Sequence, residues 1–373
     1  MKTPRFCLGL IFFSSACVLA PQLSAEALTF EIEPSSEGLY NVGVFYDTVN
    51  QITLNFGLEQ PNIVGTDDNL TLDISYSGSS RSLSIRSTDP DLFESPWSRT
   101  FSLSAHQIYT NDDIFREFGF ETAEAEIAFA RDFSSGRNIS VALGYNLLDF
   151  TRSADLPQLI VDSDILDGGQ VHTGYLSVNN TYSTALEGEN FVTSGATVIN
   201  SLTIGNAGST PYAVGQIFAQ RVIPFGEQLF AKGRIDAFAG ITQEDTFPFN
   251  ANTFVGGPGS VRGYKPGSLG PLSPMQTSGE NTVMGGQYAI SSSLEIGMVL
   301  GTNRNFALFA FADAGDTANN TSDLQPSKLK LTNGFGFRWL SPIGPLDLSY
   351  AKPIRNIVSD RTQALQFSLG WFL

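Results

Sequence analysis

Cysteine is nearly absent. The 373 residues hold two, Cys7 and Cys17, both near the start of the chain. Beyond them there is no thiol, which excludes disulfides, thiolate metal sites and cysteine nucleophiles from the rest of the protein. Charge is also scarce: 16% of residues are charged, where soluble domains carry about 25%. The basic share is the smaller one, 21 Lys and Arg against 37 Asp and Glu for a formal net charge of -16, so no basic surface for nucleic acid is expected. Only two histidines exist, His106 and His172, and a triad base at either would need a positioned Ser and carboxylate that no motif in the sequence supplies. No apolar run reaches the roughly 20 residues a spanning helix needs.

Aromatic residues are abundant, 12% of the chain, with 29 Phe and 11 Tyr against 3 Trp. The chain starts with Lys2 and Arg5, an apolar run from Phe6 to Ala20, and the A-x-A sequence Ala25-Glu26-Ala27. That pattern predicts a secretory signal peptide over 1–27, followed by a short periplasmic segment over 28–37. A lipoprotein site at Cys17 fits poorly, because Ser14-Ser15-Ala16 lacks the expected aliphatic residue.

After residue 38, apolar and polar residues alternate in blocks of about ten, separated by Gly, Asn, Asp, Ser and Pro. In Leu39 to Asp47, Tyr40, Val42, Val44 and Tyr46 share a face; in Gln51 to Gln60, Ile52, Leu54, Phe56 and Leu58 do. Late in the chain Phe335, Phe337 and Trp339 oppose Gly334, Gly336 and Arg338, and the final block Gln363 to Leu373 sets Leu365, Phe367, Leu369 and Trp371 on one side. About sixteen such blocks fit between Gly38 and Leu373. Their lengths, even number and aromatic ends predict an all-β fold, a transmembrane antiparallel barrel of about sixteen strands over 38–373 with both termini periplasmic. A soluble sandwich or propeller would also alternate, but no repeat of 40 to 50 residues is present.

Connections fall into two classes. Phe133 to Asn138, Gly301 to Asn305 and Ser341 to Pro345 are short; Arg152 to Val171 and, longest, Thr242 to Glu280 are long and expected outside the cell. The longest contains GGPGSVRGYKPG, Gly256 to Gly267. It is no phosphate cradle: Arg262 stands where a dinucleotide fingerprint needs glycine, no Gly-Lys-Ser/Thr follows, and no nucleophile elbow G-x-S-x-G occurs. Asp162-Ser163-Asp164 with Asp167-Gly168 faintly resembles a calcium loop, but the glycine is misplaced and Thr173 stands at the closing Glu position. No cofactor, metal or enzymatic activity is expected. What remains is Arg262, set among small residues in a loop long enough to fold back into a barrel. A buried arginine needs carboxylates. Glu295 lies on the polar side of Gln287 to Gly297; Asp313 ends the apolar run Phe306 to Ala312, where alternation leaves its facing open.

Val261-Arg262-Gly263-Tyr264 resembles the V-R-G-F/Y motif of the BamA/TamA superfamily of outer-membrane barrels. The ordered segments SIRSTDPDLFESPWS, SLGP, FADAGD, FRWLSPIGPLDLSYAKPI and TQALQFSLG are similar to the BamA-type barrel, and the likeness covers residues 38 to 373. The resemblance implies a sixth external loop folded into the lumen, with Arg262 bonded to acidic residues at the Glu295 and Asp313 positions. It also implies a weakly paired first and last strand whose seam opens laterally, involving Val42, Val44, Phe367, Leu369 and the bend glycine Gly370, with Val42 and Leu369 as positions to crosslink. Its partners would be outer-membrane lipids, unfolded or partly folded outer-membrane protein clients and a separate periplasmic accessory protein. Members of the superfamily carry periplasmic POTRA domains ahead of the barrel, and only about ten residues separate the expected cleavage site from the first strand here; the terminal Leu373 also departs from the usual aromatic. A pore or transporter with the glycine loop as plug, lacking insertase activity, is the alternative.

Overall fold

The computed structural model describes residues 38–47, 51–61, 68–109, 118–133, 136–187, 192–301, 305–341, 344–355, 357 and 360–372. The expected signal peptide 1–27, the 28–37 segment and Leu373 lie outside the described residues.

Sixteen antiparallel strands follow one another round a closed sheet. They are β1 Leu39–Asp47, β2 Gln51–Gln60, β3 Asn69–Ser77, β4 Ser80–Asp89, β5 Trp97–Ile108, β6 Phe120–Phe133, β7 Arg137–Asp149 and β8 Gln170–Ser183. The second half is β9 Val192–Ala207, β10 Thr210–Phe225, β11 Leu229–Thr242, β12 Tyr288–Leu300, β13 Phe306–Ala318, β14 Lys330–Ser341, β15 Gly344–Arg355 and β16 Leu365–Phe372. A two-residue piece, Leu186–Glu187, pairs with β9 alone. β1 pairs with β16 and closes the barrel. The last strand is shorter than the alternation suggests, because Gln363 belongs to a different pairing described below. No helix among the described residues is long and apolar enough to cross a membrane.

The period-two pattern sorts side chains into two environments. On β12, Leu294 (69% exposed) and Ile296 (70%) point outward, while Ser293 and Glu295 between and before them are buried. Leu143, Ile241 and Phe335 are likewise outward and exposed on distant strands. An apolar belt of this extent needs lipid against it, and closing the sheet pairs the first strand with the last, as a barrel in lipid requires. Inside, large aromatics lie over glycines of neighbouring strands: Phe309 faces Gly336 and Phe311 faces Gly334 in register, and a Cβ at either glycine would run into the opposing ring. Hence Gly336→Val is expected to push Phe309 off its site at a cost of about 1–3 kcal/mol. A lowered urea midpoint for the loss of heat-modifiable mobility would show it; an unchanged midpoint would mean the interior face is slack.

The connections 150–169 and 243–287 emerge at the same end of the barrel, but that end also carries two-residue turns at 78–79 and 208–209, so connection length alone does not mark it. The two long connections hold each other there. Asp155 accepts the backbone N–H groups of Thr277 (2.9 Å) and Ser278 (3.0 Å), and the Leu159 N–H donates to Ser273 Oγ at 3.0 Å. An apolar cluster including Phe120, Phe150, Ile160, Phe249 and Met275 packs beneath them.

Candidate functional site

All five glycines of the Gly256–Gly267 stretch have positive φ, between 63° and 119°, conformations that side-chain-bearing residues avoid. The path they permit turns the middle of the 243–287 connection against the inner faces of β12 to β15. Val261 and Tyr264, both with no exposed surface, pack with Val255, Leu269 and Ala289. Gly263, at φ 93°, comes close enough to the wall that a Cβ would stand 3.1 Å from Ala351 Cβ on β15.

Between them Arg262 makes five hydrogen bonds. Its backbone N–H and Nε donate to Asp313 Oδ2 at 3.0 and 2.7 Å, and Nη2 donates to Asp313 Oδ1 at 2.7 Å. Nη1 donates to Glu295 Oε1 at 2.7 Å and Nη2 to Ser293 Oγ at 2.9 Å. Arg262, Glu295 and Asp313 are all buried, Asp313 completely. The guanidinium also lies 3.5 Å above the centre of the Phe311 ring, which adds cation–π attraction where water is excluded. Burial alone would lower the Arg262 pKa; the two carboxylates outweigh it and raise the value.

The ion cluster reaches further along the wall. Arg338 on β14 donates to both oxygens of Glu295, at 3.1 and 3.2 Å, and through Nε to Asp347 on β15 at 2.7 Å. Its guanidinium sits 4.1 Å over Phe309. Arg234 on β11 reaches the loop through a 3.0 Å bond from Nη2 to the Ser260 carbonyl. Alternation assigns Arg338 and Asp347 to a polar face, but no signal in the sequence marks them as partners of Glu295. Ser293, the two stacking phenylalanines and the cross-barrel pairings are equally silent.

Tyr264 and its neighbours bond to the segment that leads into β16. Gly263 and Tyr264 pair antiparallel with Gln363 and Thr362, and the Lys265 N–H donates to the Arg361 carbonyl at 2.9 Å. Tyr264 Oη donates to the Arg355 carbonyl at 2.6 Å, and Gln366 Nε2 on β16 donates to the Tyr264 carbonyl at 2.8 Å. The Tyr264 hydroxyl is pushed to a higher pKa by burial first and then by Asp360 and Asp316.

At the β1–β16 seam the register runs from Gly43 opposite Phe372 to Asp47 opposite Ser368. Among the described residues that is five residue pairs, and β15–β16 also has five, whereas every other neighbouring pair of barrel strands has between eight and fourteen. Val44 faces Trp371, Tyr46 faces Leu369 and Phe45 faces Gly370. Val42 does not face Leu369: it pairs with Phe56 on β2 and has no seam-side partner among the described residues. The slip is four residues, so a disulfide between Val42 and Leu369 is excluded by geometry, and Tyr46 with Leu369 is the facing pair. Phe367 faces Leu348 on β15, and its ring lies 5.8 Å from that of Tyr46.

Comparison with known proteins adds the family. Residues 62–372 match the Omp85 superfamily domain. The chain belongs to the Omp85 superfamily. Among its relatives is an outer membrane protein assembly factor BamA of Neisseria meningitidis serogroup B, 31% identical over 169 residues that cover 38% of this chain and 21% of the relative. A BamA of Nitratidesulfovibrio vulgaris is 23% identical over 359 residues, 92% of this chain and 43% of that protein. The chain thus spans less than half the length of these two relatives. A crystal structure of BamA from Haemophilus ducreyi lacking POTRA domains 1–3 superposes with a TM-score of 0.80 at 20% identity, covering 91% of this chain and 71% of that one; the fold is shared. This Omp85 barrel is therefore an outer-membrane β-barrel whose relatives are assembly factors rather than enzymes. Among the described residues no group of three or more His, Cys, Asp or Glu could hold a metal ion.

Proposed function

We propose that this Omp85 barrel assists the insertion or translocation of other proteins at the outer membrane by opening between β1 and β16, with both ends of the barrel domain on the periplasmic side and the long connections outside. The short pairing of the β1–β16 edge carries this reading. Each ladder bond contributes on the order of 1 kcal/mol net in water and more in lipid, so a five-pair edge yields before one of eight to fourteen. Once that edge opens, an extended client strand could pair with the backbone of β1 by β-augmentation. Strand length points the same way: β1 to β4 are nine or ten residues long and β16 eight, against 13 to 16 for β6 to β11. The bilayer would be thinned on the seam side.

No covalent chemistry is required; the substrate class is an unfolded or partly folded outer-membrane protein, delivered from the periplasm by an accessory protein. The reading as a passive pore fits less well, since the inner loop is anchored to the wall by the buried Val261, Arg262 and Tyr264. Cysteines at Tyr46 and Leu369 test the proposal. Oxidation is expected to stop client assembly in outer-membrane vesicles and reduction to restore it; assembly that continues at full rate in the locked barrel rules lateral opening out.

A further inference from the structure

β16 has two short edges, and the seam reading alone does not say why only one of them should open. The answer lies in how the two halves of the strand are held. Its root is bonded both to the neighbouring strand and to the inner loop: Leu365 to Leu369 pair with β15, the Ala351 N–H donates to the Ala364 carbonyl at 2.8 Å, and the buried Gln366 side chain donates to the Tyr264 carbonyl. Just ahead of it, Gln363 and Thr362 form a two-stranded ladder with Gly263 and Tyr264. Those loop residues are in turn fixed by Arg262 to β12 and β13. The tip is held differently. Among the described residues Gly370 to Phe372 pair with β1 alone, and only Ser368 and Leu369 have partners on both neighbours.

We propose that Gln366 is a positioning residue: through the Tyr264 carbonyl it clamps the root of β16 to the inner loop, so that the seam opens by a swing of the Ser368–Phe372 tip away from β1 while the β15–β16 edge stays shut. The glycine at 370 stands where such a swing bends the strand, and glycine is the residue that permits a bend. The clamp gives the barrel one gate rather than two. It also makes the tip, not the whole strand, the part that a client must displace. This inference deepens the seam reading and rests on it for its functional meaning, but the clamp itself is a statement about two edges of one strand.

The test uses the full chain in outer-membrane vesicles with two separate cysteine pairs, Tyr46/Leu369 across the seam and Leu348/Phe367 across the root. Mild oxidation is expected to crosslink the root pair nearly fully and the seam pair only partly, the latter limited by opening. Gln366→Leu, which strips the Tyr264 carbonyl of its donor, is expected to increase exposure of the root, read as alkylation of a Leu348→Cys variant in a single-cysteine background, by roughly fivefold, the scale of one lost hydrogen bond. Gln366→Glu, which presents no amide donor when ionised, should behave like Leu, and Gln366→Asn should recover part of the protection. Tyr264→Phe, which keeps the carbonyl and removes only the bond to Arg355, should leave the root protected; Gln366→Glu carries the test if Gln366→Leu does not fold. Equal opening of both edges in the parent, or an unchanged root in both Gln366→Leu and Gln366→Glu, overturns the clamp. Failure of the seam reading would look different: a protected root and a mobile tip, with client assembly indifferent to the Tyr46/Leu369 lock.

Discussion

Arg262→Ala is expected to cost the barrel about 3–5 kcal/mol, the range found when one partner of a buried ion pair is removed. The cost does not measure the strength of the salt bridges. Taking an arginine and two carboxylates out of water is itself expensive, and the assembled cluster only offsets that expense. What the alanine leaves behind is Asp313, fully buried, with three of its hydrogen bonds to this arginine reduced to the one from the backbone N–H. Glu295 is better placed, because Arg338 still reaches both of its oxygens. The asymmetry gives a control: Arg262→Met combined with Asp313→Asn should be less destabilised than Arg262→Ala alone, although it deletes more native contacts. Arg262→Lys should fall between alanine and the parent, since an ammonium carries the charge but cannot span Asp313, Glu295 and Ser293 as the guanidinium fork does. Urea titration of heat-modifiable mobility measures all four proteins. An alanine variant with the parent midpoint would show that the loop is dispensable to the fold.

The barrel was legible because a lipid-facing strand must alternate. Period two runs cleanly through β2 and, with single exceptions such as Phe45, Asn333 and Phe372, through β1, β14 and β16, and the count of sixteen follows from it. β13 resists the same treatment for a physical reason: its inward residues Phe309 and Phe311 are as apolar as the outward Leu308, since they serve as platforms for Arg338 and Arg262. With both faces apolar, the sequence cannot say which way Asp313 points. Register is a second blind spot. β1 and β16 alternate at every offset, so nothing in either strand distinguishes the true pairing of Tyr46 with Leu369 from a slip of four residues. The ladder between Gly263–Tyr264 and Thr362–Gln363 is only two residues long, too short to leave any periodicity, and it depends on a loop whose route is set by glycine conformations rather than by side-chain pattern.

Tyr264→Ala is the second substitution with a large expected effect, again about 3–5 kcal/mol, because it empties a fully buried aromatic site. The ring sits where the inner loop meets Val255, Val261, Leu269 and Ala289, and its hydroxyl supplies the Arg355 carbonyl of β15 with a 2.6 Å bond. Tyr264→Phe separates the two contributions. It keeps the packing and leaves one carbonyl short of a donor, a loss of about 1–3 kcal/mol if no water replaces the hydroxyl. Gly263→Ala isolates a third one, the backbone: at φ 93° with Ala351 Cβ 3.1 Å away, an added methyl either strains the chain or lifts the loop from β15, at about 1–3 kcal/mol. If packing dominates, the order of destabilisation is alanine at 264 well beyond phenylalanine at 264, with alanine at 263 comparable to the latter. Should Gly263→Ala instead prove as damaging as Tyr264→Ala, the close approach of loop backbone to wall, and not the aromatic anchor, would be what holds the loop against β14 and β15.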